Sequence, residues 1–147
     1  MSNGRFNRTP DTELRIAASG ALTPGGAGST ANTTAVAIGS VGAGDEDLGL
    51  LLNVTALAGT HDASNYLQLQ LQASTDNSTF KTVETVSLNT ADAAGENQTG
   101  ANLLAINTRE IVEAVGNENA AYYRILATQV GTTATAATFS AYFVKGV

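Results

Sequence analysis

Residues 65–80, NYLQLQLQASTDNSTF, constrain the fold more than any other stretch of this chain. Leu67, Leu69, Leu71 and Ala73 alternate with Gln68, Gln70 and Gln72, so an extended backbone collects the leucines on one face and the glutamines on the other. A period of two with one apolar and one polar face is the pattern of an antiparallel sheet packed on a single side. Ser74, Thr75, Asp76, Asn77 and Ser78 then supply short polar side chains that bond their own backbone and make a turn. Phe80 restarts an apolar strand. The unit predicts a β-sandwich and carries no chemistry.

The same alternation recurs along the chain. Strands are expected over 12–18, 34–40, 48–57, 66–73, 80–88, 101–106, 122–130 and 135–144. In the first, Leu14, Ile16 and Ala18 would share a face. Residues 48–57, LGLLLNVTAL, are apolar on nearly both faces, which suits a central strand. Residues 21–33, rich in Gly, Ser and Thr, and 89–100 read as loops, and the last two strands read as a hairpin joined at Gly131, Thr132 and Thr133. Residues 110–115, EIVEAV, fit a helical turn or a strand, and six residues do not decide between them. The expected architecture is all-β: an antiparallel β-sandwich or jelly roll of seven or eight strands spanning 12–147 as one domain, preceded by an extended N-terminal arm over 1–11.

Composition bounds the function. The 147 residues include no cysteine, so no disulfide, thiolate nucleophile or zinc-finger site is possible. The opening MSNGRFNRTPDTELRIAAS has no apolar core of a signal peptide, and the longest apolar run is far shorter than a membrane span, so a soluble protein made in a cytoplasm is expected. Aromatic residues make up 5% and Trp is absent, while alanine is abundant; a core of small residues buries little area per residue and favours subunit association. The net charge is −6, yet Arg5, Arg8 and Arg15 fall within the first fifteen positions; from Ile16 onward four basic and eleven acidic residues give −7. An acidic body disfavours nucleic acid as a partner.

Candidate chemistry is sparse. His61 sits in the loop GTHDASN beside Asp62, a sequence neighbour rather than an orienting partner, and is expected to be solvated. Asp45, Glu46 and Asp47 form the one dense acidic run; it lacks EF-hand spacing and reads as a solvated turn. Glu110 and Glu113 fit a solvated helical face. The Gly25–Gly28 and Gly42–Gly44 stretches lack the partners of phosphate-binding loops. No enzyme activity, metal or cofactor is expected.

With strands placed, LQLQLQASTDNSTFKTVETVSL (67–88), AAYYRILATQV (120–130) and TFSAYFVKGV (138–147) together resemble the small jelly-roll decoration, or cement, proteins of tailed bacteriophage capsids. They resemble more loosely the galactose-binding-type β-sandwiches. The phage resemblance implies a homodimeric or homotrimeric virion protein, made in the host cytoplasm, that binds the capsid exterior and bridges major capsid protein subunits, with no nucleic acid or membrane partner. Arg5, Phe6 and Arg8 would form the contact arm, the arginines pairing with carboxylates and Phe6 anchoring in an apolar site. The alternatives are a non-catalytic carbohydrate-binding module, disfavoured by the missing Trp, and a phage tail or receptor-binding domain, disfavoured by the lack of repeats. Adjacent Tyr122 and Tyr123 must face opposite ways, so at least one packs in the core.

Overall fold

A computed structural model describes residues 15–24, 28–38, 48–59, 61–62, 64–88, 100–106, 108–116, 120–132 and 135–145. The contact arm with Arg5, Phe6 and Arg8, the acidic run 45–47 and most of the loop 89–100 lie outside them. The described elements are β1 (Arg15–Leu22), β2 (Thr30–Asn32), β3 (Val36–Ala37), β4 (Leu48–Gly59), β5 (Tyr66–Ser74), β6 (Lys81–Leu88), β7 (Gly100–Ile106), α1 (Thr108–Val115), β8 (Tyr122–Val130) and β9 (Thr135–Lys145).

Two antiparallel sheets result. One runs β1-β9-β4-β7; the other runs β2-β8-β5-β6, with β3 also on β8. β2 and β3 lie against the same strand, Asn32 opposite Leu126 and Val36 opposite Tyr123, with one extra residue on their side between those pairs, so they are two pieces of one broken strand. Thr33 spans the break: its amide donates to the Ile125 carbonyl, and its hydroxyl accepts from the Ile125 amide. Counted so, eight strands pair first with last throughout: β1 with β9, β2/β3 with β8, β4 with β7 and β5 with β6. That nested order is a long double-stranded ribbon rolled into two sheets, which is a jelly roll.

The core lies between the sheets. Leu50, Leu52, Val54, Phe139, Ala141 and Phe143 come from one side, and Leu67, Leu69, Leu71, Ala73, Tyr123, Ile125 and Ala127 from the other, all buried. Large residues sit beside small ones: Leu52 is opposite Ala141, Leu69 opposite Ala127, and Ala73 opposite Tyr123. The abundant alanine thus makes room for the large residues beside it, and the sheets interdigitate. The Tyr123 ring meets Phe143 edge-on across the core, centroids 4.9 Å apart at 86°. Its hydroxyl donates to the Ala120 carbonyl at 3.1 Å, and burial pushes its pKa up to about 12. Tyr122 is half-buried, as adjacent strand positions require.

Several expectations need correction. Among the described residues the first strand runs Arg15–Leu22, the expected positions 12–14 lying outside them; residues 21–22 and 30–32, read as loop, are strand. Ile16 and Ala17 are both buried while Ala18 is exposed, because β1 shifts register against β9 between Arg15 and Ala17 and again before Gly20. Each bulge inserts an extra residue and breaks the alternation. Of the strand expected over 34–40, the described residues 34–38 are paired at Val36–Ala37, and 39–40 lie outside the described residues. Residues 110–115 belong to α1, which buries Ile111 and packs on β5 and β6. Gly116, at φ 75°, ends the helix and donates to the Val112 carbonyl.

The largest correction concerns β8 and β9, which form no hairpin. They belong to different sheets, and the chain crosses from one to the other after Val130. The crossing is docked on another crossing, the β4–β5 turn. Thr132 donates its amide to the Asn65 side-chain oxygen at 3.0 Å. Gly131 sits at φ 89°, where a β-carbon would run into the Ser64 carbonyl and Asn65.

Candidate functional site

The outer face of the five-stranded sheet holds the most organised polar surface among the described residues. The alternation that buries the leucines of β5 turns Gln68, Gln70 and Gln72 outward, and register brings Thr82 of β6 opposite Gln72. On the other flank β8 places Arg124 opposite Gln72. The Arg124 Nε donates to Gln72 Oε1 at 2.8 Å, and its guanidinium lies 4.0 Å over the Phe80 ring centroid. Gln72 passes a bond to the Thr82 hydroxyl at 3.4 Å, Thr82 donates to Gln70 at 3.3 Å, and Gln70 donates to Gln68 at 3.4 Å. The chain Arg124–Gln72–Thr82–Gln70–Gln68 therefore runs across three strands. Gln72 is drawn down to 7% exposure, and its bond to Arg124 offsets the loss of water.

This face is rich in donors and acceptors. Such a surface suits docking against another protein more than cradling a small molecule. Of the aromatic residues on this face, Phe80 is covered by Arg124, and Tyr66 and Tyr122 are half-buried.

The other singled-out residues serve the fold. His61 is 8% exposed, not solvated: its Nδ1 lies 2.8 Å from the Leu88 carbonyl and ties the β4–β5 turn to the end of β6. Asp62 accepts from the Ser64 and Asn65 amides at 2.8 Å each, and these bonds hold its carboxyl below the usual carboxylate range. Asp76 organises the β5–β6 hairpin similarly, accepting from the Thr79 and Ser78 amides and the Ser74 hydroxyl, with Asn77 at φ 58°. Its carboxyl is lowered chiefly by the Thr79 and Ser78 amides. Glu110 is exposed at the start of α1, where its charge suits the helix dipole. An open groove of about 300 Å³ lies between β1 and the broken strand, lined by Arg15, Ala18, Thr34 and Val36 among others. No cluster of three or more His, Asp or Glu side chains occurs among the described residues, and no helix among them is long and apolar enough to cross a membrane.

No protein-family model matches the chain, and no curated protein matches it. Solved structures of infectious bursal disease virus do. The Gt strain structure aligns at 15% identity over 90% of this chain and 32% of that chain, with a TM-score of 0.43. The Gx strain structure aligns at 14% identity over 91% and 32%, with a TM-score of 0.41. The chain thus spans about a third of the length of the chains it aligns with. Scores this low carry no statement about function.

Proposed function

We propose that this chain is a structural virion protein that binds the outer surface of an assembled phage capsid and stabilises the shell by bridging major capsid subunits. The observation that carries the reading is the complete jelly-roll strand order, first strand paired with last throughout. Viral capsid domains and lectins both use that architecture. Between those two uses, the side-chain bonds that engage the polar groups around Gln72 and the covered ring of Phe80 favour a protein surface over a sugar.

The mechanism is mass action. A protein that binds the assembled shell and not free subunits stabilises assembly by RT ln(1 + L/Kd) at each site, L being its free concentration. Many copies, each touching more than one subunit, convert weak contacts into avid ones. In this reading the chain is a homo-oligomer on the virion exterior, made in the host cytoplasm, and needs no nucleic acid, membrane or cofactor. Arg5, Phe6 and Arg8 form the arm that settles on the shell, arginines on carboxylates and Phe6 in an apolar site.

Co-sedimentation tests the reading. The purified chain is expected to travel saturably with assembled phage shells and not with free capsid subunits. A variant lacking residues 1–11 is expected to keep its fold and lose shell occupancy. Absence of shell binding together with saturable binding on a glycan array would transfer the chain to the carbohydrate-binding class.

A further inference from the structure

A two-sheet sandwich leaves four strand edges, each a row of backbone groups able to pair with another chain. Here they are β1 and β7 in one sheet, and β6 and the broken β2/β3 strand in the other. Three carry features that discourage pairing. β1 shifts register twice against β9 and begins with Arg15. β6 bears Lys81 and Glu84 and shifts register against β5 beyond Leu71. β2 and β3 are three and two residues long. β7 differs on each count. It pairs with β4 over seven consecutive residues without a register shift, from Gly100 opposite Val54 to Ile106 opposite Leu48. Its sequence, GANLLAI, has no charge and no proline. Among the described residues no strand pairs with its outer edge.

We infer that β7 pairs with β7 of a second copy, antiparallel about a two-fold axis, so that two four-stranded sheets become one sheet of eight. Charge selects this occupant. Two copies of a chain with net charge −6 repel in general, and β7 is the longest uncharged edge on which they can meet without like charges facing. Symmetry then fixes the register. Side chains alternate between faces, so a two-fold normal to the sheet must set one residue opposite its own copy. Full overlap of the seven residues puts Leu103 on that axis, with Asn102 opposite Leu104, Ala101 opposite Ala105, and Gly100 opposite Ile106. This pairing rests on the homo-oligomeric part of the reading above. It is tested on the purified chain alone, so its failure is distinguishable from a failure to bind shells.

The test uses the full chain and its lack of cysteine. Light scattering is expected to give a dimer. Opposed Cα atoms in an antiparallel pair lie roughly 4.5–5.5 Å apart, within reach of a disulfide. Leu103→Cys is therefore expected to oxidise to a covalent dimer in high yield, while Thr85→Cys on edge β6 gives none. Leu103→Lys, checked for an unchanged strand spectrum by circular dichroism, is expected to be monomeric. A wild-type monomer or trimer, a folded Leu103→Lys dimer, or a wild-type dimer that Leu103→Cys does not trap overturns the inference. A monomer would leave the β7 edge to an extended segment of another protein.

Discussion

Leu69→Ala probes the packing that the whole fold depends on. Leu69 is 2% exposed at the middle of β5, flanked by Ala127 on β8 and Val86 on β6. Truncation removes three carbons, about 2.4 kcal/mol at about 0.8 kcal/mol for each buried methylene. The void adds to this because Ala127, fully buried and one carbon long, cannot extend to fill it. The total falls at roughly 3–4 kcal/mol, inside the roughly 2–5 kcal/mol range for buried Leu→Ala changes. Gln70→Ala, one residue away on the outer face, loses only the 3.3 and 3.4 Å bonds to Thr82 and Gln68 and is expected to cost under about 1 kcal/mol. Urea unfolding of both variants, with equal slopes, measures the two costs. Equal small losses would mean that β5 is not buried on one face, and the assignment of core and outer surface would be refuted.

Gly131→Ala is expected to destabilise by roughly 1–3 kcal/mol, because φ 89° is strained for alanine and the new methyl meets Ser64 and Asn65; thermal unfolding checks this. Tyr123, raised to about 12 from 10.0, contributes stability that is full below pH 10 and is lost as pH rises through 12. Tyr123→Phe should therefore flatten the alkaline limb of the stability–pH curve. Asp76, lowered from 3.8, works in the opposite sense: its contribution is present above pH 3.8 and is lost as pH falls through its folded value. Asp76→Ala should lower stability at neutral pH and shrink the acid-induced loss, measured by denaturant titration across pH 2–6.

The elements most legible in the sequence were those whose burial follows from local alternation. β5 shows it most clearly, with Leu67, Leu69, Leu71 and Ala73 all buried as their spacing requires. β4, apolar on both faces, lies inside its sheet between β9 and β7. What escaped depends on contacts distant in sequence. Gly131, Thr132 and Thr133 would serve a hairpin as well as a sheet crossing, and the docking of Gly131 and Thr132 on Ser64 and Asn65 decides between them. The two bulges of β1 leave no local mark, since RIAASGAL offers small residues on either face. The loop sequence around His61 reads as solvated because its partner, the Leu88 carbonyl, is 27 residues away. The Arg124–Gln72 bond joins residues 52 apart and required the β5–β8 register. Gln72 carried a weak signal, as a polar residue next to Ala73 and Ser74 at the end of an otherwise regular alternation.

If the chain clamps an assembled shell, calorimetry of phage shells with and without the chain will register it. The shell's unfolding midpoint is expected to rise with the free concentration of the chain and to go on rising logarithmically once the shell is saturated, while free capsid subunits show no change. Shells that bind the chain to saturation without any rise in midpoint, or that do not bind it at all, would contradict it.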